Sequence, residues 1–187
     1  MKSKPLEILS TIDDPVKKRA FFIAILSKRV VDQGAEMPIV VGGEALEIYT
    51  QGNYTTGDID VKSSYNEMEI ALFEMGFRKR GRAFYSEELD IYIDWLGATL
   101  EEGAEAEQRT AIIEIDQDRF IRLISIEDLI IDRLNAAKWW KDSDSRMWAG
   151  VLAKIKEATG GSLDMEYLRR RAMAEEVEDE LKECLSL

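Results

Sequence analysis

Val40-Val41-Gly42-Gly43-Glu44-Ala45, followed by Thr56-Gly57-Asp58-Ile59-Asp60-Val61, is the stretch that decides how this chain is read. An apolar run ends in two glycines, a helical pattern follows, and a short strand then carries aspartates at i and i+2. Successive strand side chains point to opposite faces, so Asp58 and Asp60 project on one side and Ile59 and Val61 on the other. Two carboxylates on one face repel each other, and a divalent cation removes that repulsion. An oxygen-only pair suits Mg²⁺, which takes one or two carboxylates together with substrate phosphates. Gly42 and Gly43 let backbone approach a ligand closely, and N–H groups at the start of the following helix favour an anion. Phosphate and metal are therefore expected in one place.

The glycine pair at a strand-to-helix turn, with Asp58-x-Asp60 on the next strand, resembles the signature of the nucleotidyltransferase superfamily that includes DNA polymerase beta. The longer string, Val41-Gly42-Gly43-Glu44-Ala45 to Tyr54-Thr55-Thr56-Gly57-Asp58-Ile59-Asp60, resembles the small bacterial and archaeal members, among them the toxins of abortive-infection toxin–antitoxin systems. The resemblance spans roughly residues 37 to 155.

The resemblance implies a third metal-binding acid on a neighbouring strand. Asp94, in Ile93-Asp94-Trp95-Leu96, fits that place better than Asp90, because large apolar residues flank it and Asp90 falls at the strand edge. It also implies that Gly42, Gly43 and Thr56 meet the nucleotide. Ser125-Ile126-Glu127-Asp128-Leu129 matches the opening of a family helix in which a lysine often stands where this chain has Arg133. Arginine grips phosphate bidentately but does not serve as a neutral base. Lys141, with Asp142 and Asp144, falls in a Lys/Asp-rich turn that relatives also carry. The implied reaction moves a nucleoside monophosphate from a nucleoside triphosphate to a hydroxyl, with two Mg²⁺ ions at Asp58, Asp60 and Asp94 and pyrophosphate leaving. The acceptor among small relatives is transfer RNA, a protein or a small molecule such as an antibiotic, and an antitoxin protein is a further implied partner.

Two other readings stay open. The fold could have lost turnover and now bind a nucleotide or a protein. Asp-x-Asp also serves glycosyltransferases, although the chain is short for such a nucleotide-sugar domain and its glycine pair precedes a helix.

Composition narrows the field. The 187 residues, 45% apolar and 33% charged, suit a folded chain with a sizeable core. There is no histidine, which excludes Ser-His-Asp and Cys-His catalysis and His-containing zinc sites. The one cysteine, Cys184, cannot form an internal disulfide. No apolar run approaches the ~20 residues that span a bilayer, and Met1-Lys2-Ser3-Lys4-Pro5 opens no signal-type segment. The chain is accordingly read as cytoplasmic, with no membrane partner. A net charge of −12 repels nucleic acid as a whole; Arg78-Lys79-Arg80-Gly81-Arg82 or Arg169-Arg170-Arg171 could supply a local basic strip, although such runs are more often solvated faces or turns.

The order of elements predicts an α/β protein of the α+β kind: a small mixed sheet with helices on one side and a helical C-terminal part closing one wall of the cleft. Residues 1–124 form the nucleotidyltransferase-like core and residues 125–187 the helical part. Asp14-Pro15 opens a helix with Val16, Ala20, Ile23, Ala24, Val30 and Val31 inward, stopped at Gly34. Strands are expected at 37–41, 59–62, from Phe77, at 82–86, 89–96, 110–115 and 120–124, with Asp116-Gln117-Asp118 a hairpin turn. Helices are expected at 66–75 and from Ser125 to about Trp140, the latter with Ala137 inward. A further helix has Met147, Trp148, Val151, Leu152 and Ile155 inward, and a last one runs from Asp164 into the acidic tail. Trp139 or Trp140 could stack on a base, but a tryptophan at helical spacing is more often core, and the pair is read so.

Overall fold

The computed structural model describes residues 4–186, so the first three residues of the N-terminal segment read above lie outside it. It has two compact units, one ending at Ile124 and the other beginning at Ser125.

The first unit opens with a short helix that the sequence did not announce, α1 (Lys4–Leu9), then α2 (Pro15–Asp32). Asp14 caps α2, its carboxylate accepting from the backbone N–H groups of Val16 and Lys17. Gly34, at φ +90°, ends the helix with its N–H donating to Val31 O. Then come β1 (Ile39–Val40), α3 (Gly42–Tyr49), β2 (Ile59–Lys62), α4 (Tyr65–Glu74), β3 (Arg78–Arg80), β4 (Ala83–Ser86), β5 (Ile91–Trp95), α5 (Ala104–Gln108), β6 (Ala111–Asp116) and β7 (Arg119–Leu123).

The described strands form one mixed sheet in the order β3-β4-β5-β2-β1-β7-β6. β1 runs antiparallel to β2 and parallel to β7, while β2 runs parallel to β5. Alternation explains which face is buried. Ile59, Val61, Phe84, Ile91 and Ile93 are wholly or almost wholly buried. Each such side chain contributes roughly 1.5–3 kcal/mol relative to exposure. Helix α4 covers that face, with the Tyr65 ring edge-on to Trp95 at 4.9 Å and Phe73 edge-on to Phe84 at 6.1 Å. Phe22 of α2 stacks on Phe77 at 5.1 Å. The other face of β2 and β5 is therefore free to carry acids.

The turn between β6 and β7 is Asp116-Gln117-Asp118, where Arg119 Nε donates to Asp116 Oδ1 at 2.9 Å. This second Asp-x-Asp is hairpin chemistry, as its neighbours predict.

The second unit is helical: α6 (Ile126–Trp139), α7 (Ser143–Ala158), α8 (Met165–Ala174) and α9 (Glu178–Leu185). Asp128 is buried at its centre. Tyr167 Oη donates to Asp128 Oδ1 at 2.7 Å, Ser125 Oγ donates to its other oxygen at 2.7 Å, and Arg171 Nε lies 3.4 Å away. A buried carboxylate is tolerable only with partners of this kind.

Several details differ from the sequence reading. Val31 and Met147 are 43% and 53% exposed rather than inward, and Trp139 and Trp140 are 55% and 75% exposed rather than core. In α6 it is Ala136, not Ala137, that is buried. In α7 small residues, Ser145, Ala149 and Ala153, join Leu152 on the buried side, so helix spacing was right and the facing wrong by part of a turn. The single last helix is two, parted at Glu176, which adopts φ +59°. Cys184 is buried and unpaired, and burial pushes its thiol pKa up, which suits no nucleophile.

Candidate active site

Asp58 ends the loop before β2 and Asp60 lies within it, with buried Ile59 between them fixing both carboxylates on the open face. The parallel pairing of β2 with β5 puts Asp60 directly opposite Asp94. One oxygen from each of Asp58, Asp60 and Asp94 lies within 4.8 Å of the others. Three carboxylates so close repel one another unless a cation joins them. An oxygen-only set of this kind matches a hard divalent ion.

Asp90 is not among these three converging acids. It adopts φ +54° ahead of β5, which begins at Ile91, so it has left the alternation that orients Asp94.

The glycines sit closer to the acids than a simple turn requires. Val41 N donates to Asp60 O at 3.0 Å, which brings the start of α3 against β2. Gly42 and Gly43 are the first two residues of α3, and no side chain caps that helix start. Gly42 adopts φ +58°, and a Cβ there would stand 2.5 Å from Asp60 Oδ2. A Cβ on Gly43 would stand 2.9 Å from Thr56 Oγ1. Close approach favours glycine at both positions, and the left-handed backbone favours it again at the first. Thr56 Oγ1 in turn donates to Asp58 Oδ1 at 3.1 Å.

Behind this lies a charged network that the sequence reading missed. Glu44 is fully buried and receives Arg19 Nε at 2.9 Å, while its Oε1 has no hydrogen-bond partner. Arg19 also binds the buried Glu47, which accepts the Thr56 N–H at 3.1 Å. Arg19 therefore ties α2 to α3, and Glu47 ties α3 to the loop that carries Thr56 and Asp58. Burial is the main cause that pushes the Glu44 carboxyl up to about 7; the Arg19 guanidinium opposes it, and the charges of Glu47 and Asp58 add to it. Glu44 follows the glycine pair directly, and Glu47 stands one turn on among apolar residues. That was the available signal, since acids beside Ala45 and Leu46 on a buried helix face need a cation.

The structure thus brings Gly42, Gly43, Thr56, Asp58, Asp60 and Asp94 together. Arg133 and Lys141 belong to the second unit and have surroundings of their own. Arg133 pairs with its neighbour Asp132, Nη2 to Oδ2 at 2.6 Å. Lys141 is exposed, at φ +57°, in the link between α6 and α7.

The solved structure of the antibiotic-resistance factor ANT(2'')-Ia, an aminoglycoside nucleotidyltransferase, is similar to this chain. The match has a TM-score of 0.54 and 15% sequence identity, and covers 88% of this chain and 96% of that one. The fold is therefore nucleotidyltransferase-like, a mixed sheet with helices and a helical C-terminal part. No protein-family model and no curated protein matches the sequence. Among the described residues no helix is long and apolar enough to cross a membrane.

Proposed function

We propose that this protein is a nucleotidyltransferase that moves a nucleoside monophosphate from a nucleoside triphosphate to an acceptor hydroxyl. The observation that carries this reading is the convergence of Asp58, Asp60 and Asp94 within 4.8 Å, beside a helix start whose two glycines leave room for Asp60 and Thr56.

Asp58, Asp60 and Asp94 would hold Mg²⁺, whose chemistry is to neutralise the phosphates and stabilise both the attacking and the departing oxygen. The backbone N–H groups at Gly42 and Gly43, which open α3 without a side-chain cap, would receive the terminal phosphates, since a helix start favours an anion. Thr56 fixes the Asp58 carboxylate through its hydroxyl. Asp94, half-buried on the strand beside Asp60, orients the acceptor hydroxyl and takes up its proton. The acceptor oxygen bonds to the α-phosphorus, the bond from that phosphorus to the bridging oxygen breaks, and its electron pair leaves with pyrophosphate. Positioning and charge neutralisation supply most of the rate.

Nucleoside triphosphates labelled at the α- or the γ-phosphate, with Mg²⁺ and a panel of RNA, protein and aminoglycoside acceptors, test the reading. Label should pass to an acceptor from the α-position only, and not in the Asp58→Asn/Asp60→Asn variant. Transfer from the γ-position, or transfer that survives in the variant, refutes it.

A further inference from the structure

We propose that the sheet face running outward from the acid triad to the β3–β4 hairpin binds a single-stranded polynucleotide. This rests on the nucleotidyl-transfer reading only for naming that strand the acceptor.

Strand register carries the inference. Asp60 lies opposite Asp94 on β5, Asp94 opposite Ala83 on β4, and Ala83 opposite Arg80 on β3. Residues opposed in this way share a face, so Arg80 continues the row that begins with the acids. The next row on that face holds Tyr92, Tyr85 and Arg78. Tyr85 and Tyr92 stack at 6.4 Å with their planes 15° apart, and Tyr92 is 47% exposed. Lys79 confirms the facing, since it points the other way, over the Tyr65 ring and onto Glu69 of α4.

The two arginines are exposed, and among the described residues no carboxylate pairs with Arg78, Arg80 or Arg82. On a chain of net charge −12 that is a local reversal of sign. With strands ~4.8 Å apart, Arg80 lies about 10 Å from Asp94 along its row.

Guanidiniums beside the exposed Tyr92 ring and its half-buried neighbour Tyr85 form the pattern that holds a single strand, phosphates on the cations and bases on a ring face. A duplex hides its base faces and gains nothing from the tyrosines. A polycationic acceptor would meet two bare guanidiniums beside the site. The acids Glu87, Glu88 and Asp90 stand at the far end of β4 and β5, where Glu87 and Glu88 line one cavity with Arg78 and Tyr85, so the strand enters from the Arg80 end. Arg169-Arg170-Arg171 makes no comparable strip, because Arg171 pairs with Asp128 and Glu175 and Arg170 lies over the buried Tyr167 ring.

The test is fluorescence anisotropy of short labelled RNA and DNA single strands, and of a duplex, with the full chain in EDTA. Single strands of either sugar should bind, and the duplex more weakly. The Arg78→Ser/Arg80→Ser variant should lower single-strand affinity at least about tenfold and reduce the logarithmic salt slope by about 1.4. Tyr92→Ala should cost about tenfold with the salt slope unchanged, and Arg169→Ser should change little. Equal binding of duplex and single strand, or unchanged binding in the double arginine variant, overturns the proposal. Asp58→Asn/Asp60→Asn should still bind the strand, so a failure of the transfer chemistry is read separately from a failure of the surface.

Discussion

Gly42 and Asp60 compete for the same space: a single added Cβ at position 42 would lie 2.5 Å from Asp60 Oδ2. The carboxylate can occupy that position because residue 42 has no side chain. Gly42→Ala therefore carries two penalties, the left-handed φ of +58° and the clash. The backbone part alone costs roughly 1–2 kcal/mol. The expected outcome is a melting temperature lower by at least about 2–8 °C and loss of Mn²⁺ binding, followed by calorimetry and by electron paramagnetic resonance of the free ion. A variant that melts lower yet binds Mn²⁺ normally would show that the acid moves aside without cost to the site.

Asp58 and Asp60 were legible in the sequence because the period of a strand is local: two acids around a buried isoleucine can face only one way. Gly42 and Gly43 were legible for the same reason, although the sequence made them a turn and the structure makes them the first residues of α3. Asp94 needed the β2–β5 register, which joins residues far apart in the chain, so sequence alone left Asp90 in contention. Arg19 was invisible, since nothing in Lys17-Lys18-Arg19 tells which cation turns inward. The exposed Trp139 and Trp140 were misread because apolar character says nothing about which side of a helix is covered.

Asp94→Asn tests the crowding of charge in the triad. Removing one of three carboxylates within 4.8 Å relieves repulsion in the metal-free protein. In EDTA the variant should melt higher by about 2 °C. Saturating Mg²⁺ should stabilise the unaltered protein, by about 2.7 kcal/mol at a hundredfold excess over Kd, and leave the variant unmoved. Thermal denaturation with and without Mg²⁺ measures both, and equal stabilisation of the two proteins would place the ion elsewhere.

Arg19 is bound by both Glu44 and Glu47, each of which is buried. Arg19→Met leaves two acids without their cation and should cost about 3–5 kcal/mol. Adding Glu47→Gln should return part of that loss, since a neutral amide needs no counter-charge, although it weakens the acceptor of the Thr56 N–H. Urea denaturation of the single and double variants measures the coupling. Simple additivity of the two changes would mean that the contact contributes nothing.

Glu44 should make stability fall as pH rises. Its carboxyl is pushed from 4.5 up to about 7, chiefly by burial, with Arg19 opposing and the neighbouring charges of Glu47 and Asp58 reinforcing. Between those values the folded chain keeps a proton that the unfolded chain has released. The stability slope with pH is therefore negative. The contribution is whole below about pH 4.5 and gone above about pH 7, a loss on the order of 3 kcal/mol. Glu44→Gln stays neutral throughout, so the variant should lack this decline. Urea denaturation at pH 5 and pH 8 reads the difference: the gap between the two proteins should widen in favour of the variant at pH 8, and a gap that does not change with pH would mean that Glu44 is charged throughout, stabilised by Arg19 alone.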